Sequence, residues 1–407
     1  MRKGSAGKIL LITALLLLII AAAQYIYFNG AGFFNAGNKE LRMTDTDKAA
    51  RYAFSDSTYF YCNDSRFFYF GTKDGMKYIS SSGDIKWQET YSLTKPITCA
   101  RGDMVAVGEA KGKRIYVFDA NGLLFDVLFD EPVLFFSVNE NGYLAVILKL
   151  DKGYETRAYY RRGGEPIYRN VLRDPLMQPL SADISEDGRI MAVAMLDIGL
   201  RMSSRAAFYY MNASDARTTE DGLFAYEDYP GGIIGHIRFM DRNDALVITD
   251  TQITCYRPGE LNALEERWRI GLHNKLDRLA FYRGARFAFV TGDKLLNDDE
   301  ASEPGSAYIY NMNGERTGEF SIGRKATSLS MGHDSLIAGA DRSFYALNYR
   351  GARLWEYIAL QDTRQLIFLE NTDTALLASG NEAIVLRNVK SKETDNRAVN
   401  FDSEAAD

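Results

Sequence analysis

The chain has 407 residues, 46% hydrophobic and 13% aromatic, with 25 Tyr and 23 Phe against 8 Pro. A formal net charge of −6 and the lack of any basic stripe argue against nucleic acid as a partner, because phosphate binding needs concentrated Lys and Arg. Three cysteines, Cys62, Cys99 and Cys255, are too few for a disulfide-built secreted scaffold.

Residues 1–8 carry Arg2, Lys3 and Lys8, and residues 9–28 read ILLITALLLLIIAAAQYIYF without a charge. Twenty helical residues at about 1.5 Å each span about 30 Å, the thickness of a bilayer's hydrocarbon core. The flanking cations predict a cytoplasmic N-terminus, a single transmembrane helix and export of everything after it to the outer side of the cell membrane. Tyr25, Tyr27 and Phe28 sit where an interfacial aromatic belt belongs. Small residues at Ala21, Ala22 and Ala23 leave open a cleaved signal peptide and a secreted product. No cysteine lies near the segment to carry a lipid. Residues 29–50, rich in Gly, Asn and charge, read as a linker, and 391–407 as a disordered polar tail.

Between them, residues 51–390 repeat. An octapeptide of strand formers ending in glycine recurs as MKYISSSG (76–83), IYVFDANG (115–122), RAYYRRGG (157–164), AYIYNMNG (307–314) and FYALNYRG (344–351). QITCYRPG (252–259) fits with a Pro-Gly turn, while AFYYMNAS (207–214) and AIVLRNVK (383–390) keep only the strand half. Each copy predicts a strand and a tight turn in which Gly supplies positive φ. Two further apolar runs precede the copies (97–100 and 104–107, 133–138 and 143–148, 182–185 and 189–195), and an outer strand follows at 85–90, 123–129 and 354–358. The spacing suits four-stranded blades. Many runs are apolar on consecutive residues, as strands buried on both faces require. The expected fold is an all-β propeller of about eight four-stranded blades, with seven as the alternative. The last unit lacks its outer strand, and the segment 49–54 is placed to supply it and close the ring. Trp87, Trp268 and Trp355 all fall on outer strands, where a bulky side chain packs between blades.

The segments 78–87 and 345–355, with Y-x-L/I-N/S-x-x-G-x-x-x-W, resemble the blades of quinoprotein-like propellers, and DISEDGRIMAV (183–193) is similar to a motif of WD40-like and TolB-like propellers. From the anchor to about residue 390 the chain resembles an uncharacterised family of membrane-anchored propellers of Gram-positive bacteria, a domain of unknown function. That resemblance implies fold and topology and no activity.

Chemistry is sparse. His236, His273 and His333 are isolated and read as loop or strand-end residues. No nucleophile elbow or phosphate loop is present. The acidic insertion with Asp293, Asp298, Asp299 and Glu300 is the one metal candidate, for calcium, though without the ordered spacing of a calcium loop. No cofactor is otherwise expected and nothing reads as catalytic. The expectation is a binding or scaffold module with a protein, peptide or cell-wall glycan partner. The alternative is a propeller enzyme, quinoprotein-like or glycan-active, with a cation in its channel.

Overall fold

The computed structural model describes residues 48–53, 58–63, 66–200, 202–212, 221–259, 263–295, 303–369, 371–379 and 382–387. The predicted membrane helix, most of the linker and the tail lie outside them. Among the described residues no helix is long and apolar enough to cross a membrane.

Eight four-stranded antiparallel sheets succeed one another. Residues 59–90, 96–128, 133–172, 177–230, 234–271, 274–321 and 328–358 form blades 1 to 7. Blade 8 joins Thr363–Leu369, Asn371–Ser379 and Glu382–Arg387 to the N-terminal strand Lys48–Ala53. That strand pairs with Glu382–Arg387, Arg51 facing Ile384 and Tyr52 facing Ala383. The expected closing strand is therefore present, and it starts a few residues ahead of the linker boundary that composition suggested.

The octapeptide is the third strand of each blade and its turn. Gly83, Gly122, Gly164, Gly314 and Gly351 all have positive φ. Gly259 departs from the pattern: its N–H reaches Ala263 O at 2.8 Å across a longer loop, and its φ is not positive. Burial follows position in the blade. Second strands such as Met104–Glu109, Ala245–Thr249 and Ser335–Ala340 are buried almost throughout, because a blade lies against each face. Outer strands such as Ile85–Thr90 have one wet face and are mostly exposed.

Apolar clusters join neighbouring blades around the ring. Val105, Val107 and Phe118 of blade 2 meet Tyr69 and Tyr78 of blade 1. Phe60, Phe68 and Phe70 of blade 1 meet Leu369 and Leu376 of blade 8, which completes the circle. The tryptophans serve these junctions as expected. Trp87 stacks on Phe118 at 5.8 Å and Trp268 on Phe287 at 6.0 Å. Their indoles donate to Ala120 O at 3.2 Å and Met312 O at 2.9 Å in the next blade. No disulfide joins Cys62, Cys99 and Cys255; Cys255 is buried and the other two half-buried.

The first strands of successive blades pack against one another and line the central channel. They run from an upper face, with loops between outer and next first strands and between second and third, to a lower face of first-to-second and third-to-fourth turns. Lys48 and Arg387 both lie at the lower face.

Two turn glycines should respond differently to a methyl group. At Gly122, φ is +126° and a Cβ would meet nothing nearer than Glu89 Oε1 at 3.9 Å, so Gly122→Ala should cost about 1 kcal/mol of backbone strain. At Gly314, φ is +76° and a Cβ would stand 2.6 Å from the Trp268 ring, so Gly314→Ala should cost about 2–4 kcal/mol. Urea denaturation of both variants checks the order.

Candidate functional site

The inner edge of a blade leaves backbone amides without a strand partner, and side chains of the adjoining blade meet them. In blade 4, Ser181 Oγ accepts the N–H of Ile237 at 3.2 Å and Asp183 Oδ2 that of Phe239 at 2.7 Å, both in blade 5. Asp183, 2% exposed, also takes the Arg101 guanidinium of blade 2 at 2.8 Å and the Ser137 hydroxyl of blade 3 at 3.3 Å. One carboxylate thus ties four blades together.

Arg101, 5% exposed, makes a second ion pair with Glu186 Oε1 at 3.2 Å. Glu186 and Glu140 stand in the first-to-second turns of blades 4 and 3. Burial pushes the Glu186 carboxyl up to about 7; Arg101 pulls it back, and Asp183 and Glu140 push it further. Burial likewise raises Glu140, against the pull of Arg101 and Arg283. Glu140 Oε1 has no hydrogen-bond partner among the described residues.

Arg238, next to last in the first strand of blade 5, is treated differently from Arg101. Among the described residues no carboxylate pairs with it and its buried Nε has no partner. Its guanidinium lies 4.2 Å from the Phe281 ring centroid. Burial, then the charge of Arg101, push it down to about 9. Beside it, His236 is held down to about 4 by burial and by Arg238, and is neutral near pH 7. Tyr61 of blade 1 donates to Gly102 O at 2.9 Å, and burial raises its phenol. A channel cavity of about 230 Å³ is bounded by Ile97, Cys99, Arg101, Leu134, Phe135, Asp183, His236 and Arg238. It is apolar toward the upper face and charged toward the lower.

A larger groove of about 570 Å³ lies between blades 5 and 6. Three of its charged residues are already matched: Asp244 accepts two bonds from Arg257 at 2.6 and 2.7 Å, and Arg267 pairs with Glu265 at 2.9 Å. The channel, with unmatched buried groups, is the stronger candidate.

The structure corrects the expectation for one histidine. His236 belongs to the interior of a first strand and faces the channel wall, whereas His273 and His333 lie in connections, as expected. Of the calcium candidates, Asp293 is exposed near the end of Arg286–Lys294, and Asp298, Asp299 and Glu300 lie outside the described residues. Among the described residues no group of three or more His, Cys, Asp or Glu could hold a metal ion. Sequence reasoning missed Arg101, Glu140, Asp183, Glu186 and Arg238. Their signal is positional: each stands at or just past the end of a first strand.

A sequence model described as a family of unknown function, DUF5711, matches residues 44–387. The chain belongs to that family. No curated protein matches it. Solved structures similar to it include the C-terminal WD40 domain of Sif2, at 11% identity over 84% of this chain and 97% of that one, with a TM-score of 0.55. BamB from Moraxella catarrhalis covers 84% of this chain and 99% of its own at 10% identity, with a TM-score of 0.49. The Cps50 (Swd1) β-propeller domain of Myceliophteria thermophila matches at 12% identity over 83% and 99%, with a TM-score of 0.45. At such identities the likeness to Sif2 speaks for the propeller fold alone.

Glu186 gives this site a pH signature. Its carboxyl holds its proton up to about 7 when folded, against an ordinary value of 4.5. The folded protein binds more protons between these values, so stability should fall as pH rises from about 4.5 to about 7. Glu186→Gln should flatten that slope, read by urea denaturation at pH 5 and pH 7.5.

Proposed function

We propose that this DUF5711 propeller is a non-catalytic interaction module that offers its upper face to a protein partner. Residues 9–28 hold it on the outer side of a cell membrane, or are cleaved after Ala23 to release it. The observation that carries the reading is the distribution of exposed apolar side chains. Among the described residues, ten of the sixteen most exposed large hydrophobic side chains lie on the upper face, including Ile97, Leu128, Leu134, Leu176, Leu200 and Ile233. Leu200 is fully exposed and Leu128 is 73% exposed. Such a concentration on one face of a soluble domain marks a contact surface. The side chains are aliphatic, which suits a protein better than the hydroxyl-covered surface of a glycan. Lys48 begins its strand at the lower face, the side away from the proposed surface.

Two measurements test this reading. Alkaline phosphatase fused after residue 50 should be active, and an inactive fusion would overturn the export. A photo-crosslinking residue at Leu134 or Leu200 should capture one partner protein in intact cells that the same residue at the lower-face Ile85 does not. Equal capture from both faces, or none from the upper one, would count against the proposed surface.

A further inference from the structure

Two arginines meet in the channel, and among the described residues only one is paired with a carboxylate. Arg101 is held by Asp183 at 2.8 Å and Glu186 at 3.2 Å. Arg238 has the Phe281 ring at 4.2 Å and an unbonded, buried Nε. Arg238 is half-buried, and a partly desolvated cation with no carboxylate partner among the described residues is costly to a fold, while a guanidinium presents a planar fork that matches a carboxylate. Toward the upper face the cavity wall turns apolar, through Ile97, Leu134 and Phe135. Ile97 and Leu134, 38% and 37% exposed, leave its mouth open to solvent.

We infer that the upper channel takes a carboxylate on an apolar stem, the anion pairing with Arg238 and the stem lying against Ile97, Leu134 and Phe135. The inference rests on the interaction-module reading, which places a partner over this mouth. A single negative charge fits better than a phosphate, because the Asp183 carboxylate, paired to Arg101, would repel a doubly charged group more strongly from the lower end. A volume of about 230 Å³ admits a short stem or the last residues of a peptide, not a folded element. The same chemistry can come from the C-terminal carboxylate of a protein chain or from a free short-chain acid.

Calorimetric titration of the full chain in detergent at pH 7.5 separates these sources. The probes are hexanoate, hexanamide, and an apolar hexapeptide with either a free or an amidated C-terminus. An acid form should bind saturably, and its neutral counterpart at least about tenfold more weakly. Arg238→Gln should abolish that difference, and Arg316→Gln, on an outer strand, should keep it. Tighter binding of the acid peptide than of hexanoate assigns a chain terminus; the reverse assigns a free acid. Equal binding of acid and neutral forms, no binding by any of them, or an acid preference that survives Arg238→Gln would overturn the inference. The acid-against-amide comparison uses the wild-type chain, so it holds even if the variant folds poorly. Upper-face crosslinking that succeeds while every titration fails would leave the interaction module standing and remove only the carboxylate.

Discussion

A ring of sheets has one problem that a sandwich lacks: every sheet turns one unpaired strand edge inward, where there is little water to satisfy it. Blade 4 answers this with side chains, Ser181 and Asp183 reaching the amides of Ile237 and Phe239. Blade 6 does the same through Asp277, which accepts the N–H of Ala326 in the connection to blade 7 at 3.0 Å. Once Asp183 is committed to a neighbouring amide it is a buried anion, and Arg101 becomes its necessary counter-ion. The charged end of the channel thus follows from the need to finish the backbone hydrogen bonding of the inner strands.

Arg238 does not follow from that need. The carboxylates near it, Asp183 and Glu186, are engaged by Arg101, and half-buried Glu140 is pushed toward its neutral form by desolvation. A core shaped for stability alone would place an apolar side chain there. A half-buried cation with no carboxylate partner among the described residues is an opening for something else to bind.

The fold was legible wherever its signal is local. A strand running into a Gly turn is written within eight residues, and Gly83, Gly122, Gly164, Gly314 and Gly351 reveal it because their positive φ excludes most other side chains. The closing strand was readable by subtraction, since the last unit lacked an outer strand. Gly259 misled because Pro-Gly resembles a tight turn but opens a longer loop. The channel site was illegible for the opposite reason. Arg101 and Asp183 are 82 positions apart and meet only because blades 2 and 4 both turn their first strands inward. His236 looked like an isolated loop residue because nothing in its own segment announces which strand will face the axis.

The join in blade 8 sets the order in which this protein can be made. Its outer strand, Lys48–Ala53, leaves the ribosome before any blade, yet its partner Glu382–Arg387 follows blades 1 to 7 in the chain. At bacterial or eukaryotic elongation rates the early strand waits about 20–70 s for that partner. Blades 1 to 7 are built from contiguous sequence and can assemble as they emerge, so the nascent molecule is an unclosed arc with a free edge at each end until its final strands arrive. Such an arc is open to edge-to-edge pairing with a second copy, and a factor that shields residues 48–53 during synthesis would act as a chaperone for the whole ring.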